Sequence, residues 1–301
     1  MSEFLQQVIN GISLGSIYAL IALGYTMIYG ILRFINFAHG DVFMVGAFIG
    51  YYSAPIISKA FGGSPVLTGI AVMLTAMLVC SLLGITIERL AYKPLRSRPK
   101  LTVLITAIGM SLFLEFGGQL LFGPDPKSFP ALISSATVIN SESLVISANS
   151  LVVIIVALAL MIILRFIVYK TRVGTAMRAV SFNHHAASLM GISIDGIISF
   201  VFVLGSSLAA AAAILYSSVY PSINPLMGIF PGLKAFIAAV LGGIGNLYGA
   251  ALGGLIIGLV ETLVTGYISS TYRDAIAFGI LILILLVKPS GIMGRYEAEK
   301  V

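Results

Sequence analysis

YKTRVGTAMRAVSFNHHAASLMGISI, residues 169–194, is a polar island between two long apolar runs, carrying Lys170, Arg172 and Arg178 and no acid. Its second half places Ala176, Met177, Ala179, Val180, Ala186, Ala187, Leu189 and Met190 as in a short amphipathic helix. Gly191 suits the left-handed residue that closes such a helix. Ser193 can cap the next one, with Asp195 in its first turn and Ile192 and Ile197 placed for a hydrophobic staple. A shaped helix on the wet side of an apolar chain reads as a docking surface.

Composition supports the membrane reading. The 301 residues are 59% apolar and only 9% charged, and the mean hydropathy is +1.08. A soluble domain needs roughly 25% charged residues to cover its surface; lipid must cover this one. The net charge of +6 raises nucleic acid as a partner, but the cations lie in the loops between spans, and the positive-inside rule accounts for them. The single cysteine, Cys80, lies within an apolar run, so there is no disulfide framework or CxxC site. The start, MSEFLQQ, has Glu3 and no basic region, which predicts no cleavable signal peptide.

Apolar runs fall at about 8–31, 35–57, 66–90, 101–122, 150–168, 194–217, 232–244, 247–265 and 273–288. Three junctions are basic. The first holds Arg89, Lys93, Arg96, Arg98 and Lys100, the second Lys170, Arg172 and Arg178, and the third Lys288, Arg295 and Lys300. Placing all three on the cytoplasmic side gives nine crossings, with the N-terminus outside and the C-terminus inside. The run 232–244 is too short to span alone, so a half-helix or re-entrant piece is expected there and eight crossings stay open. The long loop 123–149 then faces outward; Pro124, Pro126 and Pro130 stop the helix, and TVINSESLVIS alternates like a strand. The fold expected is all-α, a polytopic transmembrane bundle forming a single domain over 1–301. GAFIG (46–50) and GGLIIG (253–258) hint at internal duplication.

No catalytic motif emerges. There is no Gly-Lys dipeptide and hence no phosphate-cradling loop, and neither HExxH nor GxSxG occurs. His184 and His185 sit on the island and read as solvated surface, so an enzyme is not expected. RFINFAHGD, Arg33–Asp41, puts Arg33, Asn36, His39 and Asp41 between two apolar helices. It reads either as a surface turn or as a broken helix whose free N-terminal amides line a path. GGIGNLYGAALGG, Gly242–Gly254, reads as a break at Gly243–Asn246 followed by close packing along Gly245, Gly249, Gly253, Gly254 and Gly258. Glu115 and Glu261 lie within apolar runs, for transport or for bonding between helices.

RFINFAHGDVFMVGAFIGYY, KTRVGTAMRAVSFNHHAASLMGI and PGLKAFIAAVLGGIGNLYGAALGGLIIGLVE together resemble the signature stretches of branched-chain amino-acid ABC transporter permeases, in order and over nearly the whole chain. The chain most resembles the shorter of that system's two membrane subunits. The resemblance implies an importer in the bacterial cytoplasmic membrane. It would contain a second homologous permease as heterodimer partner, two cytoplasmic ATPases that use ATP, and an external solute-binding protein. This chain itself would bind no cofactor or metal. A cytoplasmic segment at about 170–192 would sit on an ATPase, matching the family at Gly174, Arg178, Ala179, Asn183, Ala186 and Gly191, without the glutamate of the EAA form. Asn36, His39, Asp41 and Asn246 are the candidate path residues. Permeases for urea, short amides or other amino acids look similar in the same stretches. An ion-coupled secondary transporter is the rival class, and would need ionisable groups near the midplane.

Overall fold

The computed structural model describes residues 2–96, 98–132, 137–141 and 144–294. Among them the order is α1 (Ser2–Leu32), α2 (His39–Ala60), α3 (Pro65–Ile87), α4 (Lys100–Phe122), β1 (Lys127–Ser128), β2 (Thr137–Ser141), β3 (Leu144–Ser147), α5 (Ala148–Lys170), α6 (Arg172–Phe182), α7 (His184–Leu189), α8 (Ile194–Val219), β4 (Ser222–Ile223), α9 (Ile229–Gly242), α10 (Leu247–Tyr267) and α11 (Arg273–Val287). Eight helices are long and apolar enough to span a bilayer, and the chain is a multi-pass membrane protein. The 14-residue α9 reaches about 21 Å at 1.5 Å per residue, short of a core of about 30 Å. Residues 220–228 supply the rest of that traverse, so the run 232–244 is a half-helix.

α1 is the hub, enclosed along most of its length. Its face toward α10 carries Gly11, Gly15 and Ala19, and small residues let backbones approach where lipid provides no hydrophobic drive. α10 answers with Gly254 and Gly258: a Cβ on Gly254 would sit 2.8 Å from that of Ala19, and one on Gly258 would sit 2.8 Å from the Gly11 carbonyl oxygen. The glycine stripe read from the sequence is therefore a packing seam from Gly249 onward. Gly245 stands outside it, in the turn before α10, with open space around its Cα.

α2 and α9 begin against each other and run to opposite faces. A Cβ on Gly40 would meet the Gly228 carbonyl oxygen at 2.7 Å, and one on Gly232 would meet the Gly40 Cα at 2.9 Å. Ile35-Asn36, Gly40 and Ala47-Phe48-Ile49 recur with the same spacing as Ile223-Asn224, Gly228 and Ala235-Phe236-Ile237. The surrounding packing repeats too: α3 lies on α2 and α8, whereas α10 lies on α9 and α1. The bundle is thus an inverted repeat, as in transporters built from two opposed halves. The duplication hinted at by the sequence exists, but GAFIG pairs with KAFIA (234–238), not with GGLIIG.

The N-terminus of α1, the β1–β4 pair and the start of α11 share one end of the bundle; the segment 170–193, the α9–α10 turn and residues 288–294 share the other. Arg33, Lys93, Arg96, Arg98, Lys170, Arg172 and Lys288 crowd the second end, which is called the inner end on the positive-inside rule, and the first the outer end. Arg295 and Lys300 of the third basic junction lie outside the described residues. In the outer loop, β1 pairs with β4, Phe129 is buried, and β2 and β3 form an antiparallel hairpin, in keeping with the alternation of TVINSESLVIS.

Candidate functional site

The island folds as two helices, since Asn183 breaks the amphipathic run. Its backbone is extended (φ −155°, ψ 111°), and its Oδ1 accepts from the Ala186 amide at 3.0 Å, capping α7. At the near end, Thr171 Oγ1 accepts from the Gly174 amide at 3.1 Å. Gly174 itself lies against the carbonyl oxygens of Ile167 and Val168, where a Cβ would collide. Arg178 turns back onto α5, donating to the Val168 carbonyl and lying 5.5 Å from the Tyr169 ring; a cation at a helix C-terminus is favourable there. At the far end Gly191 is left-handed (φ +78°). The Gly191 amide donates to Ser188 O at 3.0 Å and the Ile192 amide to Ala187 O at 3.1 Å, the two bonds of a Schellman stop. Ser193 caps α8 through the Gly196 amide, with Asp195 in the first turn.

Met177, Val180 and Ala187 anchor this segment inward, while Phe182, Leu189 and Met190 stay 89%, 75% and 81% exposed. These three large apolar side chains lie beside exposed His184 and His185, and an exposed apolar patch of this kind is a candidate interaction surface. The matched residues thus divide: Gly174, Arg178, Asn183 and Gly191 shape the segment, Ala179 is half-buried and Ala186 is exposed, while the large apolar side chains left uncovered are Phe182, Leu189 and Met190.

The RFINFAHGD break brings Asn36, His39 and Asp41 together inside the bundle, and it is not a surface turn. Arg33 opens it in a left-handed conformation (φ 58°), which costs a residue with a Cβ about 1–2 kcal/mol. The Arg33 guanidinium lies 3.5 Å from the Ser181 carbonyl of α6. Asn36 Oδ1 accepts from Tyr92 Oη at 2.6 Å. His39 is fully buried, Nε2 3.3 Å from the Ile21 carbonyl and the ring edge-on to Tyr25 at 4.6 Å; Nδ1 has no hydrogen-bond partner. Asp41 Oδ2 accepts from Ser111 Oγ at 2.5 Å. The amides of His39, Asp41 and Val42 donate to Asn36 O or Ala38 O at 3.0–3.2 Å. Those three are therefore not free, because the tight turn before the helix absorbs them. Asn36 borders a void of about 10 Å³.

Asn246 stands apart, at the inner end. It caps α10 through the Tyr248 and Gly249 amides (3.0 and 3.2 Å) and donates to the Met293 carbonyl at 2.9 Å. It lines a cavity of about 1030 Å³ between the end of α1, α6 and residues 289–294; Arg33, Arg178 and Phe182 lie on the same wall.

Two ionic clusters join distant parts of the chain, one of them built on Glu261. Near the outer end Lys234 and Glu261, 2% and 3% exposed, pair at 2.9 Å; Tyr18 Oη donates to Glu261 at 2.9 Å, Asp274 reaches Lys234 at 2.7 Å and Arg273 reaches Glu261 at 3.2 Å. Glu261 therefore bonds helices together. Near the inner end, buried Glu88 pairs with Arg96. The signal for Lys234 was visible: a lone cation within the apolar run 232–244 needs a buried acid. Glu115 lies half-buried on α4, one turn beyond Ser111.

The family described as "Branched-chain amino acid transport system / permease component" matches residues 7–285. The chain is 43% identical to the high-affinity branched-chain amino acid transport system permease protein LivH of Escherichia coli K12, covering 99% of this chain and 98% of that one. It is 42% identical to the corresponding protein BraD of Pseudomonas aeruginosa, with the same coverage. Among solved structures, a metal-chelate type ABC transporter in an inward-facing conformation matches with a TM-score of 0.51 and 18% identity, over 93% of this chain and 86% of that one. At that identity the likeness is one of fold.

Proposed function

Because the chain belongs to the branched-chain amino acid permease family, we propose that it is the permease subunit through which an ATP-binding-cassette importer of the inner membrane translocates leucine, isoleucine or valine. The observation that carries the coupling to ATP is the exposed apolar face of Phe182, Leu189 and Met190 on a segment otherwise pinned to the bundle. ATP hydrolysis belongs to two cytoplasmic ATPase partners, one seated on this face, and a second homologous permease completes the membrane unit. An external binding protein delivers solute to the outer loop 123–149, whose described part is braced by Lys127 donating to Tyr52 at 2.8 Å and by the β1–β4 pair. The reading is tested by reconstituting the permease pair, ATPases and binding protein in vesicles with labelled leucine. Uptake should need ATP and binding protein, and unlabelled isoleucine should compete while urea should not. Uptake by this chain alone down an ion gradient would replace the reading with that of a secondary transporter.

The route passes the α2 break, with Asn36, His39 and Asp41 near the middle and Asn246 at the inner mouth. A zwitterion in hydrocarbon needs polar groups to meet its charges; these side chains supply them, and in this conformation those at the break are closed over. Cysteines at Asn36 and His39 should be unreactive toward small aqueous thiol reagents at rest and become reactive during ATP turnover. Equal protection in every state would remove them from the route.

Gly191→Val should leave insertion intact and weaken ATPase co-purification. There is open space around the Gly191 Cα, so the penalty is conformational: a β-branched residue at positive φ costs more than the roughly 1 kcal/mol of ordinary glycine effects. The Schellman stop would loosen and α7 would lose its fixed pose. Unchanged ATPase recovery would show that the pose does not matter.

A further inference from the structure

We propose that Asp195, acting on Lys93 and Arg96, is the joint through which the docking segment moves α4, making Asp195 a positioning residue for coupling ATP hydrolysis to transport. The inference rests on the docking reading above and deepens it.

Asp195 rides close behind the docking segment. Gly191 stops α7, Ser193 caps α8, and Asp195 is the second residue of α8. Both oxygens of its carboxylate are engaged across the chain: Oδ1 accepts from Arg96 at 2.7 Å and Oδ2 from Lys93 at 2.7 Å. Those two cations sit on the short stretch that joins α3 to α4. Arg96 also holds Glu88, which is fully buried, and the other oxygen of Glu88 accepts from Ser199 of α8 at 2.9 Å. The ring closes on two helices, one of them continuous with the docking segment.

The backbone inside this ring is not an ordinary helix. Residues Glu88–Tyr92 form a π-turn and Lys93–Leu95 a 3₁₀ turn containing Pro94. The π-turn lies inside the continuous span Pro65–Leu95, and departures of this kind within a helix often mark a hinge or a functional site. Beyond them α4 is loosely enclosed; among the described spans only α11 is less covered. Halfway along α4, Ser111 donates to Asp41 at the start of α2. A shift at the docking segment therefore has a contiguous course: Asp195, Lys93 and Arg96, the end of α3, α4, Ser111 and the break.

The two ends of the joint differ in kind. Asp195 is 54% exposed at its side chain and Lys93 49%, and exposed ion pairs contribute little to stability. Arg96 is held by a carboxylate with no access to water, and stripping a buried charge of its partner is strongly destabilising. Stability thus explains Arg96 and Glu88 but not the bidentate grip on Asp195. An ion-paired contact that holds little fold yet bridges the docking segment to a loosely enclosed helix is suited to transmit motion.

The test is Asp195→Asn in the complete complex, reading ATPase co-purification, ATP hydrolysis and labelled leucine uptake separately. Co-purification and yield should match wild type, hydrolysis should persist, and solute moved per ATP should fall about fivefold or more, the lower end of site-to-site couplings. Asp195→Glu should restore most of that ratio. An unchanged ratio in Asp195→Asn overturns the proposal, as does loss of the ATPase from that variant, which would place Asp195 in the docking face itself. Failure of the wild-type complex to hold an ATPase would instead bring down the docking reading and the joint with it.

Discussion

Gly40→Val is expected to leave little folded permease in the membrane, while Gly109→Val leaves its amount unchanged. Both replace a helical glycine by the same side chain, so helix propensity is common to the pair. The difference lies in what the new Cβ meets. At Gly40 it would sit 2.7 Å from the Gly228 carbonyl oxygen and 3.3 Å from the Gly232 Cα, all backbone; at Gly109 nothing stands within 4 Å. Backbone cannot rotate aside as a side chain can, so the starts of α2 and α9 would have to separate. Overpacking a core costs about 1–3 kcal/mol where neighbours can adjust, and here they cannot, so the loss should exceed that range. The contact also carries the symmetry of the bundle, and parting it would disturb both halves at once. The folded fraction surviving mild heating in detergent, read by size exclusion, separates the two variants. Equal survival would mean that α2 and α9 do not meet at these glycines.

Sequence and structure agree where the physics is one-dimensional. Spans follow from runs of apolar residues, so the eight long helices and the short run of α9 are legible in the sequence. Caps are equally local: Gly191, Ser193 and Asp195 take the places their types predict. What escaped depends on distant parts of the chain meeting. Asn183 looked like one polar residue in an amphipathic run, yet its extended backbone and cap split the helix in two. Arg178 looked like a contact for a partner but folds back on Val168. The inverted repeat was hidden because only six positions of the Ile35 and Ile223 stretches coincide; what makes them equivalent is the Gly40–Gly228 contact. Lys234 lies in a run read only for its length, and its acid partner is in another helix.

Lys234→Met should destabilise the permease by about 3 kcal/mol, and Lys234→Met with Glu261→Leu should recover most of the loss. Lys234 faces Glu261 at 2.9 Å and Asp274 at 2.7 Å while only 2% exposed. Removing one member of a buried pair strands the other, at about 3–5 kcal/mol. Glu261 would keep the Tyr18 hydroxyl and the Arg273 Nε at 3.2 Å, which argues for the lower end of that range. Arg273 is 43% exposed, so water weakens what it can offer. Removing both charges takes away the stranded carboxylate as well, and apolar residues of similar volume can replace a buried pair at little cost. Asp274, 38% exposed, would turn to Arg273 and water. Denaturation midpoints of the purified single and double variants decide the matter: a double variant no more stable than Lys234→Met would mean that the buried carboxylate is not what the lysine holds. If the double variant recovers its stability yet imports solute more slowly, the cluster serves more than the fold. It ties the half-helix α9 to the outer ends of α10 and α11, so its charge would then help hold that half-helix as solute passes.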